Sequence, residues 1–381
     1  MSNILDYVDW RGDLSYTVAP FNEIDNLIYT QLAYAIWDGI VSSSFEEEIT
    51  LKDAVEEFFI SERNQLQEEE GYFSSDNMLV LMRKMQSSVR YQNNRLFGYI
   101  SQFDVPSAKQ FSAMCFGLDD GTIYVSYRGT DNTVVGWRED FNLSFMYTIP
   151  SQHMALNYLH DVAIHREKVM LRIGGHSKGG NLAIYAGSFL PMALQGRILN
   201  IYNNDGPGLM KEMTESNGYL RVVSKVRTFV PQSSVIGMIL EQIDDYSIVH
   251  SNTMSLFQHD AFSWEVKGTE FVYDQKLNSS SLTLNKAFNE WVADLPYEEK
   301  ARFFNIIFDM LEEVGLQTTS QLKKESFKVG YALIKKYNAL EDEEKKLLGE
   351  GFGYFLKIIA GDAWDKLPNP FATKTAKTQE S

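Results

Sequence analysis

Apolar residues recur at helical spacing early in the chain. Ile24, Leu27, Ile28, Leu32, Ala35 and Ile36 form one stripe, and Asn22 is placed to cap its start. Residues 46–70 carry two acidic triplets around an amphipathic stretch with Val55, Phe58 and Phe59, which reads as a solvated helical hairpin or lid. Residues 76–90 predict another helix. From about Leu96 the period shortens, and strand-like runs occupy 97–103, 110–118 and 122–127. Asp119-Asp120-Gly121 is a hairpin signal between the last two. A helix over 154–167, a strand at 169–173 and a small-residue helix at 181–186 follow. Strands at 197–202, 225–230 and 246–250 then alternate with helical segments at 210–216 and 235–241, and a further apolar run covers 262–266.

This β-α-β-α order predicts a doubly wound, mostly parallel sheet, an α/β class fold with helical additions at both ends. After about 280 the texture is helical again, over 282–294, 297–314, 319–337 and 342–359, with Asp294-Leu295-Pro296 and Gly315 as breaks. The expected division is a main domain over 1–275, with its N-terminal helical part at about 20–90 and its sheet core at about 96–270. A C-terminal helical region at 280–365 and a disordered tail at 366–381 follow.

Composition narrows the function classes. Fifty-one acidic against 35 basic residues leave a net charge of -16, which argues against nucleic acid as a bulk partner and against charge-driven docking on anionic lipid. Hydrophobic residues make up 44% of the 381 positions, ample for a large core. The lone Cys115 excludes an intramolecular disulfide and a cysteine-based zinc site. No basic-then-apolar leader opens the chain, and no apolar run reaches membrane-spanning length. A cytoplasmic protein with no metal or organic cofactor is therefore expected; the oligomeric state is open.

The chemistry centres on Gly175-His176-Ser177-Lys178-Gly179, which fits G-x-S-x-G between a strand and a helix. A serine in so tight a turn takes a strained backbone, and glycine on either side makes room for the crossing chain. Its hydroxyl then stands at a helix N-terminus, where negative charge is favoured. The bland reading is a tight βα turn with an incidental serine.

A serine nucleophile needs a base, and the base an orienting acid. Six histidines occur, at 153, 160, 165, 176, 250 and 259, and of these His250 and His259 follow the serine. His259, in the aromatic loop F-Q-H-D-A-F-S-W, is favoured over His250 at a strand end. Asp205, Asp244, Asp245 and Asp260 are candidate acids. Asp205 lies just past a strand on a Gly-Pro-Gly loop and is favoured, against the alternative of an Asx-turn residue. Asp244 and Asp245 precede a strand, at the wrong sheet edge, and Asp260 adjoins His259. The next strand end offers Gln232, Ser233 and Ser234 but no carboxylate. The backbone N–H of Lys178, together with the N–H and hydroxyl of Thr130 in Arg128-Gly129-Thr130, are the candidate oxyanion donors.

At these residues the chain resembles the class 3, or fungal-type, lipases of the α/β-hydrolase fold. Tyr127-Arg128-Gly129-Thr130, Trp137 and Asp140, then Gly175-His176-Ser177-Lys178-Gly179-Gly180 carry the likeness. It implies Ser177 as nucleophile and Thr130 as an oxyanion residue. Residues 1–270 are more closely similar to the Mbeg-like α/β-hydrolases of Gram-positive bacteria, through D-Y-V-D-W-R-G-D-L, N-E-I-D-N-L-I, N-N-D-G-P-G, P-Q-S-S-V-I-G-M and Q-H-D-A-F-S-W. One departure matters. Class 3 lipases place the acid where this chain has Pro231-Gln232-Ser233-Ser234, so that acid does not carry over. Asn204-Asp205-Gly206-Pro207-Gly208 instead resembles pancreatic-type lipases, whose acid sits one strand earlier. The expectation is a serine hydrolase acting on an acyl ester or lipid. The rivals are a non-catalytic hydrolase-fold binding module, in which Asp205 would lie out of reach of His259, and a thioesterase or acyltransferase.

Overall fold

The computed structural model describes residues 1–61, 75–104, 109–130, 143, 146–234, 237, 245–278, 283, 290–291, 294–316 and 319–360. Trp137, Asp140, Asp244, most of the helix expected at 235–241, most of the one at 282–294 and the tail lie outside them.

Among the described residues, nine strands form one sheet: β1 (Ile49–Thr50), β2 (Arg95–Asp104), β3 (Lys109–Gly117), β4 (Ile123–Tyr127), β5 (Leu171–His176), β6 (Ile198–Asn204), β7 (Val226–Pro231), β8 (Tyr246–Val249) and β9 (Tyr273–Asp274). Strands β4 to β8 pair in parallel, and antiparallel pairs flank them on both sides. Gly121, at φ 79°, makes the turn between β3 and β4. The expectation of double winding is corrected. Strand order follows chain order without reversal, so right-handed crossovers place their helices on one face.

That face carries α5 (Pro150–His165) and α6 (Lys178–Phe189), packed with Leu159 and Leu182 on Ile173 and Ile201 of the sheet. α5 begins earlier than the apolar pattern implied, because Pro150 suits a first helical turn. The opposite face is covered by the N-terminal helices α1 (Ile4–Arg11), α2 (Glu23–Leu32), α3 (Leu51–Ile60) and α4 (Ser75–Gln86). α2 opens on Asn22, whose side chain accepts from the N–H groups of Ile24 and Asp25. It lies against β4 and β5, and Tyr29 stacks on Tyr124 of β4 at 5.5 Å between ring centres.

A buried ion pair ties these helices together. Arg90 donates to both oxygens of Asp25, at 2.7 and 2.5 Å, and Tyr91 adds a third bond at 2.7 Å. Neither charged side chain has exposed surface. The C-terminal helices α7 (Tyr297–Glu313), α8 (Thr319–Ala339) and α9 (Asp342–Ala360) pack on a core of their own, around Phe303, Ile307, Leu333 and Phe352.

Candidate active site

Strand β5 ends in the turn that the glycine spacing anticipates. Ser177 sits at φ 59°, ψ -135°, a conformation rare for any residue with a side chain. Close approach explains the flanking glycines. A Cβ on Gly175 would fall 2.2 Å from the carbonyl carbon of Gly179, and one on Gly179 would fall 2.1 Å from the Tyr127 oxygen. The Ser177 hydroxyl makes no capping bond to α6. Its N–H donates to the Asn204 carbonyl at 2.9 Å, tying the turn to the end of β6.

Asp205 follows directly, also at positive φ (51°) and 1% exposed. Its N–H donates to the Phe229 carbonyl of β7 at 2.7 Å. Its Oδ2 lies 2.6 Å from Nδ1 of His259, across 54 residues of sequence. Its Oδ1 accepts from Ser234 Oγ at 2.5 Å. A Cβ on Gly237 would come within 2.3 Å of that same oxygen, so the chain past β7 closes tightly over the carboxylate.

His259 ends a short 3-10 turn, Ser255–His259, where the sequence implied only a loop. The turn is pinned on both sides. Gln258 accepts from the Ser233 N–H at 2.6 Å, and its carbonyl accepts from Trp264 Nε1 at 2.9 Å. With Asp205 accepting at Nδ1, the neutral ring carries its proton there and leaves Nε2 basic.

The rival residues go elsewhere. His250 bonds Asp274 at 2.9 Å, with Glu265 also nearby. Asp260 caps Phe262. Asp245 is exposed.

The Arg128-Gly129-Thr130 loop at the end of β4 reaches the serine. A Cβ on Gly129 would stand 3.0 Å from Ser177 Cβ and 2.5 Å from the His176 oxygen. Thr130 is buried at 8% exposure. The Lys178 ammonium turns away, donating to the Gln110 carbonyl at 3.0 Å in a fully buried position.

Several residues at this site had no advance signal. Ser234 belongs to a segment notable in the sequence for lacking a carboxylate. Asn204 bonds the Gly175 carbonyl at 3.0 Å and receives Asn26 of α2 at 2.8 Å, so a helix far upstream braces the strand ends that carry Ser177 and Asp205. His176 is buried, and burial first, then the neighbouring His259, holds its pKa well below the usual imidazole range. Among the described residues, no three His, Cys, Asp or Glu side chains cluster to share a metal ion, and no helix is long and apolar enough to cross a membrane.

The sheet, the strained serine turn at the end of β5 and the carboxylate past β6 define an α/β-hydrolase-like fold. Within it, this chain belongs to the Mbeg1-like family, whose model matches residues 85–309. Among solved structures it is similar to Rhizomucor miehei lipase in its native propeptide complex. That likeness has 14% identity and a TM-score of 0.35, covering 60% of this chain and 69% of that one. Lipase II from Rhizopus niveus is similar at 13% identity and a TM-score of 0.32, covering 61% of this chain and 92% of that one. Likenesses this distant assign no role to any residue here. No curated protein matches the chain.

Proposed function

We propose that this protein is a serine hydrolase that cleaves carboxylic esters, with Ser177, His259 and Asp205 as its triad. The observation that carries the reading is the 2.6 Å contact between His259 Nδ1 and Asp205 Oδ2, made by two residues from separate loops beside the strained Ser177 turn. A retained but idle fold has no need to keep that pair in contact.

In the proposed reaction, Ser177 Oγ attacks the ester carbonyl carbon while His259 Nε2 takes its proton. Asp205 holds the Nδ1 proton in place and stabilises the imidazolium. The Lys178 N–H and Thr130 donate to the oxyanion, where one such donor contributes roughly 3–4 kcal/mol. The C–O bond to the alcohol breaks, and His259 returns the proton to that oxygen. Water, activated by the same imidazole, then releases the acid and frees Ser177. Among acyl groups, an oxygen ester of a small molecule or lipid is the proposed substrate. The cytoplasm is the proposed location, and residues 1–275 are proposed as the catalytic unit, with 280–365 as an appended helical region.

The test is turnover of a p-nitrophenyl ester panel by wild type, Ser177→Ala and Asp205→Asn. The expected losses are on the order of 10³-fold or more for each variant, with folding intact by circular dichroism. Equal turnover in wild type and Ser177→Ala would remove the serine from the mechanism. Faster turnover of acyl-thioesters than of oxygen esters would move the substrate class.

A further inference from the structure

The residue just before the serine is tied to the backbone of the residue proposed as its base. His176 Nε2 lies 2.8 Å from the carbonyl oxygen of His259. A carbonyl only accepts, so Nε2 carries the proton and donates. On the other side of the ring, Nδ1 lies 3.3 Å from the hydroxyl of Tyr34, in the turn after α2. In the neutral tautomer Nδ1 accepts from that hydroxyl, whose one proton is shared with the His176 carbonyl oxygen at 3.4 Å, so one protonation state serves these contacts. The two imidazoles lie against each other, 4.5 Å between centres. Trp264 meets the His176 ring edge-on at 6.4 Å.

We infer that His176 is a positioning residue. Held as the neutral Nε2–H tautomer, it fixes the His259 peptide to the serine turn, and thereby sets the distance between base and nucleophile. The inference rests on the triad proposed above. His259 is then held at two points: Asp205 grips its ring at Nδ1, and His176 grips its main chain. The two grips come from adjacent strand ends, β6 and β5, so the base is referenced to the same two strands that carry the acid and the nucleophile. Burial disfavours a charged His176, which keeps Nδ1 available as an acceptor. Without the His176 bond, the 3-10 turn keeps its Gln258 ties but loses this tether to the serine turn itself. Displacing a catalytic group by about 1 Å costs on the order of 10²-fold in rate.

Three proteins and two measurements test this. The first measurement is the second-order rate at which a fluorophosphonate labels Ser177 in wild type, His176→Phe and His176→Gln. Phenylalanine keeps a ring and loses both hydrogen bonds; glutamine keeps an N–H donor near the Nε2 position. The expected result is a 10- to 100-fold slower rate for H176F, at about the misplacement cost above, and substantial recovery in H176Q. The second measurement is the ring nitrogen spectrum of ¹⁵N-histidine-labelled wild type at pH 7, with His176 assigned by its disappearance in H176Q. It should show Nε2 protonated and Nδ1 bare, and it stands even if H176F does not fold. Wild-type labelling with an undiminished rate in H176F, or a protonated Nδ1 on His176, overturns the inference alone. Failure of wild type itself to be labelled overturns the triad on which it rests.

Discussion

Ser234 donates its hydroxyl to Asp205 at 2.5 Å, on the carboxylate oxygen that His259 does not use. The end of β7, which offers no carboxylate, thus supplies a hydroxyl that fixes the rotation of the Asp205 carboxylate past β6.

Replacing Ser234 with alanine should leave the fold intact and slow ester turnover. A hydrogen bond to a charged group contributes roughly 1.5–3 kcal/mol, so kcat/KM should fall on the order of tenfold to a hundredfold. Ser234→Thr, which keeps the hydroxyl, should lose less. An unchanged kcat/KM in S234A would mean that Asp205 is held by other contacts.

The Arg90–Asp25 pair makes a stability prediction far from the chemistry. Arg90→Ala leaves the fully buried Asp25 carboxylate of α2 without its counter-charge. Breaking such a pair costs about 3–5 kcal/mol, to be read as a lower urea midpoint. Arg90→Lys should recover little, because Arg90 also spreads its donors over the carbonyls of Leu14 and Ala19, which one ammonium cannot match.

His176 predicts how stability changes with pH. Its folded-state pKa lies well below 6.5, the value that applies in the unfolded chain. Below that pH the unfolded state binds a proton that the folded state refuses, so stability falls as pH falls. The slope from this group reaches about 1.4 kcal/mol per pH unit. Urea unfolding of wild type and His176→Gln at pH 7, 6 and 5 isolates it. The variant's stability should decline less steeply by that amount, and parallel declines would show that His176 does not resist protonation.

How much was legible in the sequence follows from how local each feature is. The serine turn was readable because its steric demand falls within five residues, Gly175 to Gly179. His259 and Asp205 were separable from their rivals by scarcity and by strand order, and their side chains do meet. Ser234 was not readable as a partner of Asp205, since a hydroxyl acting across 29 residues has no periodicity. The same holds for Arg90 and Asp25, 65 residues apart. The winding was misread because alternating strands and helices are shared by singly and doubly wound sheets; only pairing distinguishes them. The two-residue β1 is too short for any pattern.

Activation of Ser177 by His259 is read out by intact-mass analysis after exposure to a fluorophosphonate. One phosphonyl adduct is expected, on the peptide containing Ser177, formed with loss of fluoride and abolished in both Ser177→Ala and His259→Ala. An unmodified wild-type protein, under conditions that label a control esterase fully, would contradict that activation.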